Sequence, residues 1–237
     1  FNINDGDVAS LIDVSIAGLT LRGGDASQSG GNFSAGGAIR SSENLELREV
    51  VIAENSALEG AGVYNDAGSL TIADSRFEAN QGTRSVIYVR MTSESDRFEL
   101  TNSLVVGNRI TTVPGAILQV SGGNAVVASS TLDENLVGNQ SSSWNAASGS
   151  VVGASETRLS VQSSSITGNL GATGIGFSIQ GTLSVEDSTI ALNSGRGIYL
   201  RGGSLQVRRT TIDRNNSEGI VVDIGLSAAT GPIEILE

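Results

Sequence analysis

Seven asparagines, Asn55, Asn80, Asn108, Asn135, Asn169, Asn193 and Asn215, each close the same eleven-residue phrase, and successive ones lie 22 to 34 residues apart. The phrase reads LELREVVIAEN at 45–55, LTIADSRFEAN at 70–80 and LSVEDSTIALN at 183–193, with four further copies between and after these. An earlier copy, VSIAGLTLRGG at 14–24, carries Gly24 in place of the asparagine, and IEILE at 233–237 reads as the start of a ninth. Self-similarity at this period means stacked supersecondary units that bury a continuous core only together.

The aligned columns say which residues face inward. Leu45 and Leu47, Leu70 and Ile72, Phe98 and Leu100, and their counterparts stand two apart, as in a half-buried strand. Three residues before each asparagine comes Ile52, Phe77, Val105, Leu132, Ile166, Ile190 or Ile212, so the inward parity changes within the phrase and a bend must separate two short strands. A Gly-x-Ile/Val segment after each asparagine supplies a third, with Ile39, Val63, Ile87, Ile117, Val151, Ile175, Ile198 and Ile220 expected in register. No helical periodicity competes, and only two prolines interrupt the chain. The expected fold is all-β, a parallel β-helix of about eight coils, right-handed by the crossover preference.

The asparagine column has a structural explanation. At a tight turn asparagine tolerates the left-handed conformation, and its amide accepts from one neighbour and donates to the next, giving a hydrogen-bonded ladder along the axis. Ser75, Ser103, Ser130, Ser164, Ser188 and Thr210 form a second column that fills the bend and satisfies its own hydroxyls.

Composition then removes whole classes of chemistry. The 237 residues contain no histidine, cysteine or lysine, so there is no nucleophile-histidine pair, no Schiff base, no disulfide and no zinc site of the usual ligand set. With 25 acidic residues against 14 arginines, the net charge of −11 repels phosphate backbones, and nucleic acid is not an expected partner. Arg208, Arg209 and Arg214 share one coil and read as a solvated face. No apolar run is long enough to span a bilayer, so no direct membrane span is expected. Residues 1–237 read as a single β-helix domain excised or processed from a longer chain.

GGAIRSS at 36–42, GAGVYNDAGSLTIADSRFEAN at 60–80 and the repeated S-x-apolar-x-x-N resemble the GGAI and FxxN repeats of chlamydial polymorphic membrane proteins and the β-helix regions of bacterial secreted and surface proteins. The resemblance covers most of residues 11–236, although only Phe77 to Asn80 matches FxxN strictly. It implies a right-handed β-helix acting as an extracellular stalk, adhesin passenger or surface module within a longer polypeptide. Assembly with other chains is a further expectation.

Two constellations stand out for binding. The residue after each inward Ile/Val of the third strand is expected to point outward, in the order Arg40, Tyr64, Tyr88, Leu118, Val152, Gly176, Tyr199 and Val221. Such an apolar stripe with paired tyrosines suits a polysaccharide or a surface protein. The long loops 24–37 and 136–150 lead into the same strand and carry Phe33 and Trp144, which would bracket a groove floored by Arg40, Tyr64 and Tyr88. The second constellation is Glu49 and Asp74, one coil apart with Asn102 next. These admit Ca2+ as the one candidate ion, although outward polar residues at a bend, neutralised by Arg48 and Arg76, explain the same pattern. No other cofactor is indicated. The expected function is a non-enzymatic extracellular or cell-surface module for adhesion or spacing. The alternative is a polysaccharide lyase or glycoside hydrolase fragment working in a groove along the solenoid.

Overall fold

A computed structural model describes residues 1–7, 10–27, 34–138, 149–178, 181–223 and 230–237. Within them the chain passes repeatedly through three parallel sheets. Sheet A has nine strands from Asn2–Ile3 to Ile220–Val222, sheet B has nine from Asp13–Ala17 to Thr230–Leu236, and sheet C has eight from Thr20–Arg22 to Thr211–Asp213. A fourth sheet, D, follows C in four coils, from Ser56–Ala57 to Leu136–Val137. The described residues contain no helix. The molecule is a parallel β-solenoid, and sheet D is an element the three-strand reading lacked.

The core is the set of inward columns. Leu45, Leu70, Phe98, Ala125, Leu159, Leu183 and Leu205 on sheet B are each at most 2% exposed, as are Ile52, Phe77, Val105, Leu132, Ile166 and Ile190 on sheet C. The terminal copies hold their places too: Leu21 pairs with Ile52, and Ile233 and Ile235 pair with Leu205 and Val207. Burial of these thin aliphatic layers at ~25 cal/mol per Å2 drives the stacking, while each inner strand satisfies its backbone on both sides.

Two left-handed residues shape every coil. Between sheets B and C, Glu49, Asp74, Asn102, Ser129, Ser163, Asp187 and Arg209 have φ between 42° and 52°. After sheet C, φ lies between 48° and 58° at Glu54, Ala79, Glu134, Leu192 and Arg214, with Gly23, Gly107 and Gly168 at the same position. The left-handed residue therefore precedes the asparagine, which corrects the expectation that the asparagine adopts this conformation. The turn leaves both the N–H and the side chain of the asparagine reaching toward the next coil.

The ladder is continuous. The backbone N–H and Nδ2 of Asn80 both donate to Oδ1 of Asn108, at 3.0 and 2.9 Å, and Nδ2 also donates to the carbonyl of Ile52 at 2.8 Å. The same pattern links Asn55 to Asn80, Asn108 to Asn135, Asn135 to Asn169, Asn169 to Asn193 and Asn193 to Asn215. Each inner amide thus uses its donors and acceptor fully, which a buried side chain requires. At the first coil the N–H of Gly24 donates to Oδ1 of Asn55 at 2.8 Å. The serine column makes a parallel ladder: Ser103 Oγ accepts the Ser75 N–H at 3.1 Å and donates to the Thr101 carbonyl at 2.7 Å.

Sheet A departs from the expected register in two coils. Ile87 pairs with Leu118, and Leu118 with Val152, which in turn pairs with Ile175. Ile117 and Val151 are also fully buried, so these coils place consecutive apolar residues inside, as Val86 and Ile87 do. The physical cause is the corner leading into sheet A, where the residue before the strand's inward position also faces the core.

Candidate functional site

The outward column of sheet A is therefore Arg40, Tyr64, Tyr88, Gln119, Gly153, Gly176, Tyr199 and Val221. Leu118 and Val152, expected outside, are fully buried, and the continuous apolar stripe is replaced by a polar and glycine segment. Gln119 covers Gly153, where a Cβ would lie 2.8 Å from its Oε1.

What remains is compact. The Tyr64 and Tyr88 rings are stacked with centroids 4.8 Å apart and planes 8° from parallel. Parallel strand spacing produces this contact, since identical outward positions on adjacent coils stand about 4.8 Å apart. Arg40 is the register partner of Tyr64 on the preceding coil. Charged pairs flank the stack: Arg84 bonds Glu59 at 2.9 Å, and Arg90 stands 3.9 Å from Asp66 while donating to its carbonyl at 3.3 Å. Burial pushes the Tyr64 phenol up to about 12, with the Asp66 carboxylate acting in the same direction. Tyr88 is raised by burial and then by Glu59. Each ring shields one face of the other, so the stack offers edges and hydroxyls outward rather than two open platforms.

Further along the same column, Tyr199 donates to Asp223 Oδ2 at 3.0 Å, and the Arg196 guanidinium lies 5.0 Å from its ring centroid. Arg196 also bonds Glu218 at 2.9 Å. The Ser217 hydroxyl, a backbone N–H and Arg196 together draw the Glu218 carboxyl down to about 2. This group ties adjacent coils together.

The other sequence candidates among the described residues lie elsewhere on the solenoid. Glu49 and Asp74 occupy the left-handed turn before sheet C, and among the described residues no group of three or more His, Cys, Asp or Glu side chains converges on a metal position. Of the arginines near the end of the solenoid, Arg209 bonds Asp187 at 2.7 Å and also Glu186, while Arg214 pairs with Asp213 at 3.3 Å. Trp144 and Phe33 lie outside the described residues.

Sequence reasoning missed two features. Asn65, on sheet A beside Tyr64, is fully buried, and neither its Oδ1 nor its Nδ2 has a hydrogen-bond partner among the described residues. A groove of about 390 Å3 crosses the outer face of sheet B in the first three coils, lined by polar side chains including Asp13, Asn44 and Glu46. No single repeat reveals either, because each depends on what the neighbouring coils carry at that column.

No family model matches this sequence, and no curated protein or solved structure matches it significantly.

Proposed function

We propose that the chain is a non-enzymatic module of a secreted or cell-surface protein, a stiff solenoid that presents the Arg40, Tyr64 and Tyr88 face to a partner protein. The observation that carries this reading is the tyrosine stack itself. Tyrosine and arginine are the residue types that concentrate binding energy at protein interfaces, and here they cluster on a rigid sheet whose neighbouring outward residues are mostly small and polar. The shielded ring faces favour contact with a protein over flat stacking of sugar rings. Support for the extracellular setting comes from the resemblance of GGAIRSS and FEAN to repeats of bacterial surface proteins.

The experiment measures binding of the purified chain to arrays of host-matrix and bacterial envelope proteins, comparing it with a Tyr64→Ala/Tyr88→Ala variant. A specific ligand whose affinity falls at least about 10-fold in the variant is expected, as for interface aromatics. The same samples are incubated with acidic and neutral polysaccharides, with and without calcium. Unsaturated products or new reducing ends would overturn the non-enzymatic reading in favour of a lyase or hydrolase.

A further inference from the structure

The groove on sheet B is a second recognition surface, independent of the tyrosine face, and its chemistry is distinct. Register places Asp13 beside Asn44, Ser15 beside Glu46, and Glu46 beside Thr71. Period-two alternation adds Ser69 next to Asn44, so six polar side chains form a grid two residues wide and three coils long.

Five of these side chains, all but Thr71, are held by hydrogen bonds before any ligand arrives. Asn44 Nδ2 donates to Asp13 Oδ1 at 2.9 Å, and Asn44 Oδ1 accepts the Ser69 N–H at 2.9 Å. Glu46 accepts from the Ser15 hydroxyl at 3.0 Å and from Arg48 Nε at 2.7 Å. Ser69 Oγ accepts the Arg97 N–H at 3.1 Å. Carboxylate oxygens carry more lone pairs than these bonds consume, and the Ser69 proton remains to donate. The groove therefore offers fixed acceptors and hydroxyl groups at closely spaced points, with low ordering cost.

The charge selects the ligand class. Two carboxylates face the groove, with Glu99 beyond Thr71 on the next coil, and two arginines adjoin it, Arg48 bound to Glu46 and Arg97 beyond Ser69; the charges nearly balance, so neither anionic nor cationic groups gain from the field there. A divalent cation would have to compete with the Arg48 guanidinium for Glu46 and would find one further carboxylate, which is too few for a calcium site. Vicinal hydroxyls, by contrast, donate in pairs to carboxylates and accept from hydroxyl and amide groups. The geometry points to a neutral oligosaccharide lying along the solenoid axis, across the coils that carry Asp13, Glu46 and Thr71.

The test titrates the intact purified chain with cellohexaose, xylohexaose, maltohexaose and mannohexaose while backbone amide NMR shifts are followed. At least one series is expected to bind with Kd on the order of 1 mM, as suits a shallow groove, with shifts centred on residues 13–15, 44–46 and 69–71. Asp13→Asn with Glu46→Gln should weaken binding about 10-fold or more without changing the melting temperature, and Thr71→Arg should block the groove. Tyr64→Ala/Tyr88→Ala should bind sugar normally, whatever becomes of the protein partner. The inference falls if no neutral oligosaccharide shifts these amides at tens of millimolar. It also falls if binding survives both groove variants, or if binding disappears on chelation of calcium.

Discussion

A Cβ on Gly24 would stand 2.1 Å from the carbonyl oxygen of Gly37, and this contact explains why the ladder begins with glycine. The first coil supplies only its N–H to Asn55. Gly24→Asn, which restores the repeat by sequence, is expected to destabilise the fold, because the obstacle is backbone and cannot swing away. Thermal unfolding of the variant, with a melting temperature below that of the parent, checks this.

Asn108→Ala removes the acceptor used by the Asn80 N–H and Nδ2 and the donor used by the Phe77 carbonyl, all of them buried. Several orphaned groups cost roughly 3–5 kcal/mol together. Chemical denaturation should show that loss, while affinity for any partner of the tyrosine face stays unchanged in the folded protein.

Asn65 presents the opposite case. It occupies the core column whose next member is Val89, its register partner, and its amide has no partner among the described residues. Asn65→Val is expected to raise stability by roughly 1–2 kcal/mol, since it removes an unpaired buried amide and introduces a β-branched strand former. A higher denaturation midpoint with an unchanged slope is the outcome to look for.

Tyr64 ionises late, at about 12 against an ordinary 10, because its phenolate would be partly desolvated. In the unfolded chain the same phenol loses its proton near 10. The folded state therefore holds the extra proton between about 10 and 12, and stability from this group, complete below 10, is lost as pH rises through that window. Tyr88 and Tyr199 are also raised, so absorbance titration at the phenolate band should show every tyrosine ionising above its ordinary value, including a transition near 12 that Tyr64→Phe removes.

The fold was legible because its determinants repeat. The asparagine and serine side chains bond to their own column or to backbone in the same or the adjacent coil, so the same residue type is required at the same position each time. Where the requirement is conformational rather than chemical, the sequence is mute: Glu54, Ala79, Leu192 and Arg214 share a left-handed backbone and nothing else. The sheet A register failed at Ile117-Leu118 and Val151-Val152, because two adjacent apolar residues both turn inward at the corner and either one satisfies an alternating pattern. The tyrosine pair was visible as a column, but the mutual shielding of its rings was not. The sheet B groove comprises ordinary polar residues from three repeats and acquires meaning only when those repeats are stacked.

The amide ladder makes length a modular property. Every amide-to-amide bond in it joins one coil to its immediate neighbour, always from a lower-numbered donor to a higher-numbered Oδ1. Excision of residues 109–135, a whole repeat counted from one asparagine to the next, would bring Asn108 against Asn169 with the same partners as before. A cut that ignores the asparagines would bring unlike columns together and expose core residues. The molecule can thus be shortened or extended like a ruler marked in coils, with its cross-section and its outward faces unchanged.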